Sequence, residues 1–352
     1  MDLDAPVVLG LDFGGTKTAL AVAAPDGTRL GSAVHETLPD LGADASLDRA
    51  ITAGRDLLSR VAPGRRLAAV GVATIGIPGE DGVALAPNIP GWHGLALGRE
   101  LRGAFPGAEI RLATDVKAAA RVEAESGALV GCDPAIYLNL GTGLAVAIVA
   151  NGAVVDGRNG ASGEIGYNLR RLGDVGAAAA DRVPLEDTVS GKSLMLEAAA
   201  LLPDADGSAD VFARAAEDPR LLRLFDRFVA ELSFHLVNLA IAIDPARIAV
   251  GGGMVRSWDL LRDGLRRALD AAVPFPPELV RAAYPYDAPL MGALALGLAA
   301  AREAEQHSEA EQHGVVEHSV VERGVIEHSD ARHGDGEQRA AGNETLTKGL
   351  SG

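Results

Sequence analysis

Three glycine turns, each at the end of an apolar run, constrain this chain more than any other feature. The first is Asp12-Phe13-Gly14-Gly15-Thr16-Lys17-Thr18, the second Leu140-Gly141-Thr142-Gly143, and the third Gly251-Gly252-Gly253. Val7–Asp12, Ala135–Leu140 and Ile248–Val250 precede them as strand-like runs. Paired glycines let backbone N–H groups close on an anion. Thr16 and Lys17 add a hydroxyl and a charge, and Asp12 is placed to hold a hydrated magnesium ion. The first turn is neither G-x-G-x-x-G nor G-x-x-x-x-G-K-[ST], and no helical pattern follows at once, so Rossmann and P-loop readings fit poorly. A plain hairpin explains any one such turn. It explains less well three turns at strand ends, two of which open the two halves of the chain.

Periodicity places the rest. Leu20–Ala23, the turn Pro25-Asp26-Gly27 and Leu30–Val34 extend the first strand into an antiparallel meander. Ser46 is positioned to cap a helix to about Val61. Strand Ala68–Val72, helix Ala96–Phe105, strand Ile110–Ala113 and a helix from Thr114/Asp115 follow. The second half reads as strands Ala135–Leu140 and Leu144–Val149, the hairpin turn Asn151-Gly152, and Val154-Val155. Helices are expected at Ser193–Leu202, Ala209–Glu217, Leu221–Ile243, Leu260–Ala271 and Met291–Ala301. Two α/β halves that each open on an antiparallel pair and a glycine turn predict two similar domains facing a cleft. After about Ala301 the composition shifts, and Val315-Val316-Glu317-His318-Ser319 opens a pattern of period five. That period suits neither helix nor strand, so residues 304–352 are expected to be a disordered tail.

Charge and cysteine content narrow the partners. The 352 residues carry 32 basic and 48 acidic side chains, a net charge of −16, which argues against a grip on nucleic acid. The one cysteine, Cys132, makes neither an internal disulfide nor a cysteine-based zinc cluster. The acidic start Met1-Asp2-Leu3-Asp4 is unlike a secretory signal, and the longest apolar run, Leu290 to Ala301, is short of the ~20 residues a bilayer needs. A soluble cytoplasmic protein is expected.

Between the turns lie further ordered motifs. They are Gly71-Val72-Ala73-Thr74-Ile75-Gly76-Ile77-Pro78-Gly79, Ala86-Pro87-Asn88-Ile89-Pro90-Gly91-Trp92 and Thr114-Asp115-Val116-Lys117-Ala118-Ala119-Ala120. Gly163-Glu164-Ile165-Gly166-Tyr167 and Leu185-Glu186 with Ser190-Gly191 complete the set. Over roughly residues 7–300 this succession resembles the ROK family of sugar kinases, within the sugar kinase, actin and Hsp70 superfamily. The resemblance implies an α/β, two-domain actin-like ATPase (ribonuclease H-like) fold with an interdomain cleft. It divides the chain into 1–114 plus 288–303 and 115–287. It implies an ATP- and magnesium-dependent kinase with Asp115 as the catalytic base. Asn88, Thr114, Glu164, Tyr167 and Glu186 would contact the sugar. Gly14, Gly15, Thr16, Lys17, Gly141, Thr142 and Gly143 would hold the nucleotide phosphates, Gly251, Gly252 and Gly253 would approach the adenosine, and Asp12 would serve the magnesium. Trp92 fits equally beside the sugar or in the core. Lys117 receives no role.

The chain departs from the family pattern at three points. Asn168–Pro184 contains no cysteine where most members carry zinc ligands, and Tyr167 stands at the family histidine, so no zinc site is expected. Tyr167 also brings a larger ring to the sugar side. Thr114 replaces an asparagine, a pairing with Asp115 seen in fructokinase-like members. The implied reaction is phosphorylation of a sugar hydroxyl, O6 of glucose or of a glucose-like aminosugar such as kanosamine. The alternatives are a fructokinase and a non-catalytic sugar-responsive regulator. A first strand at Val7 leaves no room for a helix-turn-helix ahead of it, which weighs against direct DNA binding. Retention of Asp115, Glu164 and Glu186 weighs against a scaffolding role. The expected partner is a small-molecule sugar, with no nucleic acid and no membrane, and a homodimer is compatible.

Overall fold

The structure, a computed structural model, describes residues 5–86, 89–205, 207–215 and 218–326, with side chains described to 307 and at 309. The described residues up to Ala304 form one compact unit, and those from Glu305 on fall in a second. The first half runs β1 (Val7–Phe13), β2 (Lys17–Ala23), β3 (Arg29–Glu36), α1 (Gly42–Val61), β4 (Leu67–Thr74), β5 (Ile77–Pro78), β6 (Val83–Ala84), α2 (Leu97–Ala104) and β7 (Glu109–Thr114). Then follow α3 (Asp115–Ser126), β8 (Ala135–Leu140), β9 (Leu144–Ala150), β10 (Ala153–Val154), α4 (Gly191–Ala198), α5 (Ser208–Arg214) and α6 (Pro219–Ile243). The last elements are β11 (Arg247–Gly251), α7 (Trp258–Ala272), β12 (Glu278–Arg281) and α8 (Ala288–Ile326).

Two five-stranded sheets share one plan, β3-β2-β1-β4-β7 and β10-β9-β8-β11-β12. In each, the two antiparallel pairings of a meander lie on one side and two parallel pairings on the other. The parallel strands are covered on both faces, which is why β1 and β4 read as near-continuous apolar runs. Register brings Phe13, Thr74 and Thr114 level at one edge of the first sheet, and Asn139 level with Gly251 in the second. These are the carboxyl ends of parallel strands, where open α/β sheets place their ligands.

α8 docks on the first sheet through glycine. A Cβ at Gly71 of β4 would overlap the Ala293 carbonyl oxygen, and one at Gly292 would overlap the carbonyl of Ala118 on α3. One helix thus lies directly on both the sheet and the helix that begins at Asp115.

Some expectations need revision. Ser46 does not cap α1. The helix starts at Gly42, and Ser46 Oγ donates to the carbonyls of Gly42 (2.9 Å) and Thr37 (3.2 Å) from inside it. The helix at the end of the body continues to Ile326, so the tail expected from 304 is corrected over 304–326, while 327–352 lie outside the described residues. The segment Ala301-Arg302-Glu303-Ala304-Glu305-Gln306 is rich in strong helix formers, and a formed helix propagates on propensity without an apolar stripe. Among the described residues no helix is long and apolar enough to cross a membrane.

Candidate active site

The carboxyl ends of β1 and β7 carry the first acids. Asp12 is the penultimate residue of β1. Its carboxyl is pushed up to about 7, mainly by burial and then by the charge of Asp115, with Lys17 opposing. Asp115 opens α3. Thr114 is the N-cap, its Oγ1 accepting from the Lys117 N–H at 3.2 Å, so the cap role that aspartate often plays here belongs to its neighbour. Asp115 is thereby free to point elsewhere; its Oδ1 accepts only from the Val116 N–H, at 2.9 Å, among the hydrogen bonds described. Burial lifts it to about 6, with the Glu186 charge adding to the rise and two backbone N–H groups working against it.

Two short turns bring in the other acids. Glu164 immediately precedes the 3-10 turn Ile165–Tyr167 without a side-chain capping bond, and Glu186 lies in the 3-10 turn Leu185–Asp187. Glu164 is pushed up to about 7, first by burial and then by Asp115, with Lys117 lowering it and Glu186 raising it. Glu186 Oε2 accepts from the Leu144 N–H at 2.8 Å. A Cβ on Gly143 would sit 2.5 Å from that oxygen, so glycine lets the carboxylate lie against the second turn. Asp115 is thus the link of a group of acids: its charge acts on Asp12 and Glu164, and Glu186 acts on both Asp115 and Glu164. Tyr167 is 41% exposed at its edge, its phenol raised by burial and then by Glu164 and Glu186.

Each glycine turn is braced from behind. Gly14 N–H donates to Lys17 O (3.0 Å), Thr37 Oγ1 to Gly14 O (2.7 Å) and Thr37 N–H to Thr16 O (3.0 Å). In the second turn Gly141 N–H donates to Gly143 O (3.1 Å), and Gly191 N–H, at the start of α4, to Gly141 O (2.9 Å). Gly252 sits at φ 89°, a conformation that favours glycine, and its N–H reaches Pro285 O at 3.2 Å.

Comparison with known proteins settles the kinship. The sequence pattern of the ROK family matches residues 8–300. The chain belongs to the ROK family. It is 33% identical over 254 residues to a kanosamine kinase of Amycolatopsis mediterranei, covering 70% of this chain and 80% of that protein. Among solved structures, a ROK hexokinase from Thermus thermophilus matches with a TM-score of 0.69 at 30% identity, covering 85% of this chain and 99% of the other. A ROK glucokinase from Streptomyces griseus, solved with glucose and AMPPNP, matches with a TM-score of 0.66 at 28% identity, covering 82% and 98%. The fold is thus the α/β actin-like ATPase fold of ROK sugar kinases.

Within this ROK chain, several residues stand differently from the sequence reading. Asn88 lies outside the described residues. Trp92 is fully buried, its ring centroid 5.1 Å from that of Phe13 and tilted 53° to it, with Nε1 donating to Thr74 Oγ1 at 3.0 Å, so it is a core residue. Lys117, with no expected role, is 5% exposed and tied to loop 156–160. The cysteine-free segment 168–184 is held by side chains. Arg170 pairs with Glu231 of α6, Thr188 Oγ1 donates to the same Glu231 oxygen at 3.2 Å, and Asn168 meets His235 at 3.3 Å. Among the described residues no three His, Cys, Asp or Glu side chains converge as a metal cage. Asp12, with the charge of Asp115 acting on it, brings an acid to the first turn, which suits magnesium, a cation that keeps most of its waters and shares phosphate oxygens.

The crowded acids make stability depend on pH. Asp12, Asp115 and Glu164 titrate near 4 in the unfolded chain but at about 7, 6 and 7 in the fold. Between those limits the folded state binds more protons, so stability should rise as pH falls from about 8 to about 5. Asp218, held at about 2 chiefly by its hydrogen bonds from Arg220, works in the opposite sense only below about pH 4. Melting curves of the ligand-free protein should give a higher Tm at pH 5.5 than at pH 8; a lower one would show that these acids are not desolvated.

Proposed function

We propose that this ROK protein transfers the γ-phosphate of ATP to a primary hydroxyl of a glucose-type sugar, with Asp115 as the base. The observation that carries the reading is the group of four interacting acids gathered beside two glycine turns. In a loose phosphoryl-transfer transition state the hydroxyl proton leaves late, so a carboxylate titrating at about 6 is basic enough and is ionised at neutral pH. In this reading Glu164, Glu186, Asn88, Thr114 and Tyr167 hold the other sugar hydroxyls. The Thr114 oxygen is engaged at the helix cap, so its proton is what it offers the sugar. Gly14 and Gly141 spend their N–H groups within their turns. Gly15, Thr16, Thr142 and Gly143, with Lys17, are then the donors toward the phosphates, and Gly251, Gly252 and Gly253 face the adenosine. Magnesium supplies charge neutralisation between phosphate oxygens, and Asp12 would hold it through water. The sugar would lie between the halves 1–114 plus 288–303 and 115–287. The reading puts the enzyme in the cytoplasm, where ATP is available, and is compatible with a homodimer.

The acid-rich site also bears on which sugar is preferred. A protonated amine satisfies carboxylates better than a neutral hydroxyl does. The similarity to a kanosamine kinase points the same way. Specificity constants for glucose, glucosamine, kanosamine, mannose and fructose test this. Glucopyranose-type sugars should lead, with an amino-substituted glucose favoured. A tenfold or greater preference for fructose would replace this reading with the fructokinase one.

A further inference from the structure

Lys117 is a buried ammonium that the reaction does not use. It lies two residues after Asp115 in the first turn of α3, 5% exposed. Its Nζ donates to the carbonyls of Asp156 (2.9 Å) and Gly160 (2.7 Å) and lies 3.2 Å from Asp156 Oδ1. Those three partners match its three N–H donors, and all come from one loop. The loop is folded on itself, Ser162 N–H donating to Asp156 O at 3.1 Å. It leads straight into Gly163, whose carbonyl accepts from the Val146 N–H at 2.9 Å, and Glu164. Gly160 also abuts the other half of the molecule, since a Cβ there would sit 2.8 Å from Ile77 Cγ2.

The three partners offset the cost of burying the ammonium, and its charge also reaches beyond the tether. Among the groups acting on Glu164, Asp115 and Glu186 oppose its ionisation, and Lys117 favours it. Tyr167, on the same turn, faces Glu164 and Glu186 as a neutral phenol.

We propose that Lys117 is a positioning residue for the sugar: it clasps loop 156–160 to the helix that carries Asp115, and so holds Glu164 in place and favours its charged form. The inference rests on the sugar-kinase reading. Lys117 acts through partners 39 and 43 residues away along the chain.

The test is Lys117→Met, compared with the wild type in steady-state kinetics from pH 5.5 to 9, with thermal melting. The sugar KM should rise about tenfold while the ATP KM stays within about twofold. The acidic limb of kcat/KM for the sugar should move to higher pH, because Glu164 without its cationic neighbour holds its proton more tightly. An unmoved acidic limb, or sugar and ATP KM rising together with a collapse of Tm, would overturn the proposal. Hydrogen exchange across residues 156–163 reads the tether without any turnover. Faster exchange in the variant supports the clasp, and unchanged protection refutes it. A wild type inactive on every sugar would instead refute the kinase reading, leaving the exchange result to decide on Lys117.

Discussion

Asp115→Asn is expected to lower kcat by about 10²-fold or more while ATP binding stays within about twofold of the wild type. The amide keeps the shape of the side chain but cannot take a proton from the sugar hydroxyl. The fold should tolerate it, because the start of α3 is fixed by the Thr114 cap and not by Asp115. The same change removes a charge that burial disfavours and that raises both Asp12 and Glu164. The variant should therefore melt higher than the wild type at pH 8, as happens when strain at a working site is relieved. Rapid-quench turnover, calorimetric ATP titration and a melting curve check the three parts. Retention of most of the activity would remove Asp115 from the role of base.

Gly292→Ala is expected to be strongly destabilising although it adds a single methyl group. The new Cβ would overlap the Ala118 carbonyl oxygen, and backbone on α3 cannot rotate away as a side chain can. Forcing α8 and α3 apart should cost about 3 kcal/mol, the upper part of the range for overpacking. Turnover should fall with it, since α3 carries Asp115 and Lys117. Gly103→Ala is the control. It also lies in a helix, α2, but its Cβ would meet nothing within 4 Å. That variant should gain about 0.4–1 kcal/mol from the stiffer unfolded chain. Urea unfolding of both separates a specific clash from a general intolerance of alanine, and equal stabilities would contradict the packing described.

Local signals in the sequence were enough for some elements and not for others. The strands beside the glycine turns were legible because buried parallel strands give continuous apolar runs, and Ala135–Leu140 is the clearest case. β12 was not, since Glu278-Leu279-Val280-Arg281 is too short to show a period. Ser46 looks like a cap by residue type, but it lies within the helix, where the carbonyls of Gly42 in the first turn and of Thr37 ahead of it accept from its hydroxyl. The helix start at Thr114/Asp115 was legible from the strand before it, whereas Thr114 as the cap needed the geometry. Lys117 and Trp92 were ambiguous for one reason. Each is defined by contacts distant along the chain, to Asp156 and Gly160 and to Thr74 and Phe13, and no local pattern encodes them. The grouping of Asp12, Asp115, Glu164 and Glu186 was anticipated only through the family resemblance. Their spacing alone, spread over both halves of the chain, carries no signal of proximity.

The measurement that bears most directly on the central claim is ³¹P NMR of the full-length protein with glucose and magnesium ATP. The expected products are ADP and, in equal amount, a phosphate monoester whose signal is split by two methylene protons, the mark of a phosphorylated primary hydroxyl. ADP with inorganic phosphate alone, or intact ATP with glucose and with every other sugar of the panel, would contradict it.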